Sequence, residues 1–251
     1  MPTTLIQITD CHLTRSEEVI MRVNTLKSFH SVLDLIKSEI QDISLLLGTG
    51  DISHDGSVES YQTYIEGIDS LGVSHCWLPG NHDIAEVMRS KSGASSLACK
   101  SISLGKWRIL MLDSHVENKV YGLVSDSELQ FLDQELAGCP EPFVLVALHH
   151  HVLPVHSVWM DKLGVKNSND LLMCLKKTSK VRGVVSGHVH QEVDQTENGT
   201  RILGSPSSCF QFRPGSLDFE LDDKSPGYRW LKLEDDGSID TGVSRINDIQ
   251  T

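Results

Sequence analysis

Asp10-Cys11-His12, Asp51, Asn81-His82-Asp83, His149-His150-His151 and His188-Val189-His190 put carboxylates, imidazoles and an amide into five short clusters. These side chains are ligands for cations that accept nitrogen and oxygen donors. Each cluster follows an apolar run: LIQIT before Asp10, ISLLLGTG before Asp51, HCWLPG before Asn81, FVLVAL before His149 and GVVSG before His188. Alone, an Asp-x-His pair is commonplace. Five such clusters, each closing a buried-strand pattern, form one signal. Asp10 and His12 are two residues apart, as are His188 and His190, so extended backbone would turn each pair to one side. Glycines before Asp51, Asn81 and His188 permit sharp turns and close backbone approach. Three adjacent imidazoles cannot all leave one strand end in the same direction. Strand parity puts His149 with His151 and sets His150 opposite, so at most two of them reach one ion.

The elements that must position these groups are legible as alternating patterns. Leu5–Ile8, Ile43–Leu47, His75–Leu78, Arg108–Leu112, Phe143–Leu148 and Val181–Val185 read as strands buried on both faces. Leu26, Phe29, Leu33, Ile36 and Ile40 recur at helical spacing. Ser125 and Glu128 form a capping box ahead of Leu129, Leu132 and Leu136. From about residue 189 the chain turns β-rich. Asn198-Gly199 and Asp236-Gly237 are hairpin signals, flanked by Arg201–Leu203, Tyr228–Leu233 and Ile239–Val243. The expectation is one α/β domain over residues 1–251, with ligands outside the carboxyl ends of the strands.

Composition narrows the function. The chain has 251 residues, 39% hydrophobic and 22% charged, and a net charge of −12 with no Lys/Arg cluster. That argues against nucleic acid or an anionic membrane as partner, though a bound cation can reverse the local sign for one small anionic substrate. Six scattered cysteines, none in a Cys-x-x-Cys pair, suit reduced thiols in a cytoplasmic protein. No signal peptide opens the sequence, and its longest apolar run is too short to span a bilayer. Gly48-Thr49-Gly50 leads to Ser53 where a dinucleotide fingerprint needs glycine. Walker A, Gly-x-Ser-x-Gly and His-Glu-x-x-His motifs are absent.

Asp-x-His, Gly-Asp, Gly-Asn-His-Asp, a strand-terminal His and Gly-His-x-His, in that order, resemble the calcineurin-like metallophosphoesterases. The resemblance implies a four-layer α/β/β/α sandwich with a dinuclear metal site at the strand ends. It implies that Asp10, His12 and His190 hold one ion, that Asn81, His149 and His188 hold the other, and that Asp51 bridges them. His82 stays unligated as the catalytic proton donor, and His12, Asp51, Asn81, His82 and His190 contact the phosphate. With no thiolate in that set, iron or manganese is expected, with zinc as the alternative. Two such ions clamp a phosphoryl group and acidify a bridging water to the attacking hydroxide, while His82 protonates the leaving alkoxide. Asp83 either orients a neighbour or stabilises its turn. His150, His151 and His54 remain open between supporting, substrate-edge and spectator roles. His30 and His75 read as packing or surface residues, and His115 and His156 as loop residues open to solvent or to substrate contact.

GDISHDGSVESY, WLPGNHD, MLDS, LHHHVLP, SGHVHQEVDQTENGTRILGSPSSCFQF and DFELDDKSPGYRWLKLEDDG are similar to the bacterial class III 3′,5′-cyclic AMP phosphodiesterase group. Val152 departs from it where a proline often follows the histidines. The resemblance implies hydrolysis of 3′,5′-cyclic AMP to 5′-AMP, with a cyclic nucleotide as the small-molecule partner. Adenine specificity comes from the resemblance alone, and the sequence does not speak to oligomeric state. Two alternatives stand beside it. One is a phosphodiesterase or phosphomonoesterase acting on another small ester, such as a 2′,3′-cyclic nucleotide or a glycerophosphodiester. The other is a non-catalytic scaffold, which predicts damaged ligands where all eight positions are intact.

Overall fold

The computed structural model describes residues 2–91 and 99–247. In chain order the elements are β1 (Thr3–Ile8), a short hairpin of β2 (Val19–Ile20) and β3 (Val23–Asn24), α1 (Thr25–Glu39), β4 (Leu45–Gly48), α2 (Val58–Asp69), β5 (His75–Trp77) and α3 (Ala85–Lys91). There follow β6 (Ser101–Leu104), β7 (Trp107–Met111), α4 (Asp126–Gly138), β8 (Phe143–Leu148), α5 (Ser168–Leu175) and β9 (Val181–Ser186). The chain closes with β10 (Val193–Glu197), β11 (Thr200–Gly204), β12 (Gln211–Phe212), β13 (Leu221–Asp222), β14 (Gly227–Leu233) and β15 (Ile239–Arg245).

The strands form two main sheets, ordered β15-β14-β1-β4-β5 and β10-β11-β9-β8-β7-β6. Within the first, β1, β4 and β5 run parallel; within the second, β7, β8, β9 and β11 do. Side-chain alternation explains the layering. Leu5, Leu45, Leu47 and Leu231 of the first sheet meet Ile109, Leu145, Val185 and Leu203 of the second in a shared inner core. The opposite faces carry Ile6, Ile8 and Leu46 against Phe29, Leu33 and Ile36 of α1 and Tyr61, Tyr64 and Ile68 of α2. On the far side, Leu110, Val144, Val146 and Leu148 pack on Leu132 and Leu136 of α4 and Leu171 and Leu175 of α5. Helix, sheet, sheet, helix is the four-layer order the resemblance implies. Val152 fits this packing as a member of the outer core beside α4 and α5.

The long strands lie within two residues of the expected bounds, and Asn198-Gly199 turns β10 into β11 with both residues at positive φ. The capping box is only half made. Ser125 Oγ accepts the Glu128 amide at 3.2 Å, but the Glu128 carboxylate turns away to Lys100 and to the Asp113 amide. Among the described residues no helix is long and apolar enough to cross a membrane.

Candidate metal centre

The parallel strands β1, β4 and β5 of one sheet and β8 and β9 of the other end at the same rim. Asp10, His12, Asp51, His149, His188 and His190 gather there, each at most 5% exposed. Asn81 is half-buried beside them, and His82 is exposed at the edge. Two groupings of nitrogen and oxygen atoms emerge. Asp10, His12 and His190 form one: His190 Nε2 lies 3.3 Å from Asp10 Oδ1 and 3.3 Å from His12 Nε2. In the other, His149 Nε2 lies 3.2 Å from Asn81 Oδ1, with His188 stacked edge-on at 5.1 Å between ring centroids. Asp51 sits between them, its Oδ2 3.8 Å from His12 Nε2 and 3.6 Å from His149 Nε2.

The backbone route differs from the alternation argument. Asp10 (φ 53°), His12 (φ 46°), Asp51 (φ 49°), His188 (φ 66°) and His190 (φ 48°) all lie in the left-handed region. Each pair converges because the chain curls after the strand, not because it stays extended. Such conformations cost about 1–3 kcal/mol each for non-glycine residues and persist only where surrounding contacts hold them. The contacts are visible. Asp10 N and His12 N donate to Gly50 O and Asp51 O at 2.9 and 3.0 Å. The His188 amide donates to both Asp10 carboxylate oxygens at 3.1 and 3.0 Å, and Ser207 Oγ donates to Asp10 O at 2.7 Å. Gly187 makes that approach sterically allowed: a Cβ there would fall 2.0 Å from Thr9 Oγ1 and 2.8 Å from Asp10 Oδ2.

Ring tautomers sort the histidines. His149 Nδ1 donates to Thr49 O and His190 Nδ1 to Phe210 O, each at 2.7 Å, so their Nε2 lone pairs face the centre. His188 Nε2 is buried without a hydrogen-bond partner. An orphaned, buried imidazole nitrogen beside other nitrogen donors is what a cation site requires, and burial pushes both His12 and His188 well below an ordinary histidine, toward the neutral ligating form. Burial also opposes charge on His149, but Asp51 beside it raises its pKa to about 9. Burial acts against ionising Asp51 too, yet His149, His12 and His82 hold its carboxyl well below the usual range. A proton on His149 Nε2 and a cation there are alternatives, and the donor set fits a cation.

The same reasoning separates His150 from its neighbours in the triplet. The His150 ring lies 4.7 Å from both His149 and His188, so simple strand parity does not keep it away. Its nitrogens are spoken for, however. Nε2 donates to Val120 O at 3.2 Å, and Nδ1 pairs with Ser114 Oγ at 2.9 Å. His151 is buried and stacked on His188 at 5.8 Å, and its Nδ1, like His188 Nε2, has no hydrogen-bond partner. Both back the centre from behind, and neither is a substrate-edge group.

Residues 3–192 match the calcineurin-like phosphoesterase family. The chain belongs to that family. It is 39% identical over 246 residues to the 3′,5′-cyclic adenosine monophosphate phosphodiesterase CpdA of Pseudomonas aeruginosa, covering 98% of this chain and 90% of that one. It is 38% identical over 248 residues to the 3′,5′-cyclic-nucleotide phosphodiesterase alr5338 of Nostoc, covering 98% and 93%. A dimetal phosphatase from Danio rerio superposes with a TM-score of 0.68 at 16% identity, over 92% of this chain and 95% of that one, which speaks for the fold.

As a calcineurin-like phosphoesterase, the chain has supporting groups around the centre whose roles the sequence left open. Asp83 is one whose role was open: its carboxylate accepts the amides of Ile52, Ser53 and Gly80 at 3.2, 3.0 and 2.9 Å. It therefore clasps the loop after Asp51 to the turn that carries Asn81 and His82. Burial and repulsion from Asp51 raise its pKa to about 6. His54 is half-buried, its Nδ1 3.3 Å from His12 Nδ1 and its ring stacked on His82 at 4.9 Å. His30 and His156 are exposed, while His75 and His115 are half-buried away from the centre.

Proposed function

We propose that this chain is a metal-dependent phosphodiesterase that hydrolyses 3′,5′-cyclic AMP to 5′-AMP, working as one domain in the cytoplasm. Two ligand groups joined through Asp51, beside an exposed His82, carry the reaction class. The names of relatives at 38–39% identity over nearly the whole chain carry the substrate. Six scattered cysteines, five of them buried and none in a Cys-x-x-Cys pair, support a reducing compartment. Asp10, His12 and His190 would hold one ion, Asn81, His149 and His188 the other, with Asp51 shared between iron or manganese ions.

Cations bound there supply positive charge against the phosphoryl oxygens and lower the pKa of the attacking water. The chain's own groups do the rest. His12, Asp51, Asn81, His82 and His190 line one cleft, so a phosphate in it meets this whole set. Asn81 contributes a neutral donor, which adds no repulsion to an anionic ester. The His82 amide donates to Asp51 Oδ1 at 2.8 Å, fixing the turn to the shared carboxylate and its ring over His12, 4.8 Å away. As the water oxygen bonds to phosphorus and releases its proton to solvent, the P–O3′ bond breaks. His82 gives its proton to the departing O3′.

The test compares turnover by manganese- or iron-loaded protein of 3′,5′-cAMP, 3′,5′-cGMP, 2′,3′-cAMP and an aryl phosphodiester. The expected result is efficient cleavage of 3′,5′-cAMP to 5′-AMP. Cleavage of the aryl ester or 2′,3′-cAMP with none of 3′,5′-cAMP overturns the substrate reading.

A further inference from the structure

The cleft that holds the phosphate-contacting rim has a volume of about 170 Å³, and most of its remaining lining is carbon. Met21, Trp159, Leu163, Phe210, Phe212 and Phe219 face it from three separate segments. A phosphoryl group and two cations have no use for such a wall, so it must serve another part of the substrate.

The wall is continuous with the centre. Phe212 stacks on His190 with ring centroids 4.2 Å apart and planes 16° from parallel. Trp159 meets Phe212 edge-on at 5.0 Å and Phe219 at 5.4 Å, and Phe212 meets Phe219 at 5.4 Å. It is also braced. Trp159 Nε1 donates to Ser216 Oγ at 3.0 Å, Val158 N to Ser216 O at 3.0 Å, and Gly215 N to Ser157 Oγ at 3.0 Å. Two loops are thereby stitched together with the indole fixed between them, while Phe219 stays 49% exposed. An aromatic ring held rigid yet left open to solvent suits a planar ligand, because little ordering remains to be done on binding.

Met21 is an independent sign. It and Arg22 form the two-residue turn between β2 and β3, with φ of 48° and 71°. A hairpin turn left-handed at both central positions is the type that Asn-Gly fills without strain. Met-Arg fills it at a cost, and the result is a polarisable thioether, 46% exposed, at the same cleft.

We propose that this wall binds the purine ring of the nucleotide by its face, with the cyclic phosphate at the rim and the base on Trp159, Phe212 and Phe219 beside Met21. The inference rests on the cyclic nucleotide reading above and adds where the base is held. The experiment measures kcat and KM of the manganese-loaded enzyme on 3′,5′-cAMP and on the base-free methyl ribofuranoside 3′,5′-cyclic phosphate. Wild type, Trp159→Ala, Phe219→Ala and the double substitution Met21→Asn with Arg22→Gly are compared.

Wild type is expected to favour cAMP. Loss of one stacking partner should cut that preference about 5- to 150-fold, mainly through KM. The turn variant should lose part of the preference while its Tm rises, which a purely structural role for Met21 does not produce. Variants that keep the wild-type preference, or lose both substrates alike through kcat, overturn the wall as a base site and leave the cAMP reading standing. A wild type that cleaves only the base-free ester overturns both. Should Trp159→Ala fail to fold, the exposed Phe219 still decides the matter.

Discussion

The rim and the wall of the cleft are built by opposite means. Asp10, His12, Asp51, His149, His188 and His190 stand just past strand ends, almost wholly buried, five of them on left-handed backbone. Contacts from other elements hold them: Thr49 O and Phe210 O hold His149 and His190, and the Asp10 carboxylate holds the His188 amide. Trp159, Phe212 and Phe219 sit on or beside loops, and they are half-buried or exposed. Phosphoryl transfer needs ligands placed to a fraction of an ångström in a site with little water, and strand ends locked between two sheets supply that. A base held by its face needs only area, which loops provide. Substitutions at the rim should therefore act on kcat and metal content, and substitutions at the wall on KM.

His82→Ala tests that division most severely. The residue lies at the rim yet is exposed, and its ring contacts His12 and His54. The expected outcome is a kcat for cAMP lower by about 10²–10⁴-fold, the usual worth of a positioned acid. Metal content measured by elemental analysis should not change. A nitrophenyl diester, whose leaving group needs no proton, should lose much less. If the variant strips metal instead, His82 belongs with the ligands, and the separation of ligands from proton donor fails.

How much of this was legible in the sequence follows the same line. The strand-end clusters were readable because a buried strand is a continuous apolar run, and a polar residue at its close stands out. A single α/β domain was readable from the same runs, and its four layers only from the family resemblance that the clusters carry. The curl that brings Asp10 to His12 and His188 to His190 was not, since Asp and His enter left-handed backbone more readily than most residues yet are extended far more often. Nor were the Thr49 and Phe210 carbonyls, because a backbone acceptor is the same at every position. His150 shows the limit from the other side. Its type and place qualify it as a ligand, and only its hydrogen bonds to Ser114 and Val120 remove it. The wall was invisible for want of spacing: Trp159 and Phe219 are sixty residues apart and meet only because Ser157 and Ser216 tie their loops together.

Gly187→Ala strains the scaffold beneath the rim and leaves the wall untouched. A methyl group there would enter the space of Thr9 Oγ1 and press on the Asp10 carboxylate. Overpacking of this kind costs about 1–3 kcal/mol. Thermal unfolding should show the lower stability, and titration with manganese should show weaker binding, because the strain falls on a proposed ligand. Weaker folding with metal affinity intact would mean that Asp10 relaxes independently of its neighbours.

The smallest effect is expected at Asp55, in the loop that leads from Asp51 past His54 toward α2. Slight burial works against its charge, but hydrogen bonds from Ser57, the Arg15 amide and Ser53 Oγ bring its pKa from 3.8 to about 2. A depressed carboxyl contributes stability where it is ionised in both states, above about pH 4, and that contribution fades as pH falls toward 2. The group is exposed, so solvent screening keeps the effect small. Asp55→Ala should lower Tm by no more than about 2–4 °C at pH 6, with the gap narrowing as the pH is taken below 4. A gap of equal size at pH 6 and pH 3 would show that this loop is held by packing rather than by its carboxylate.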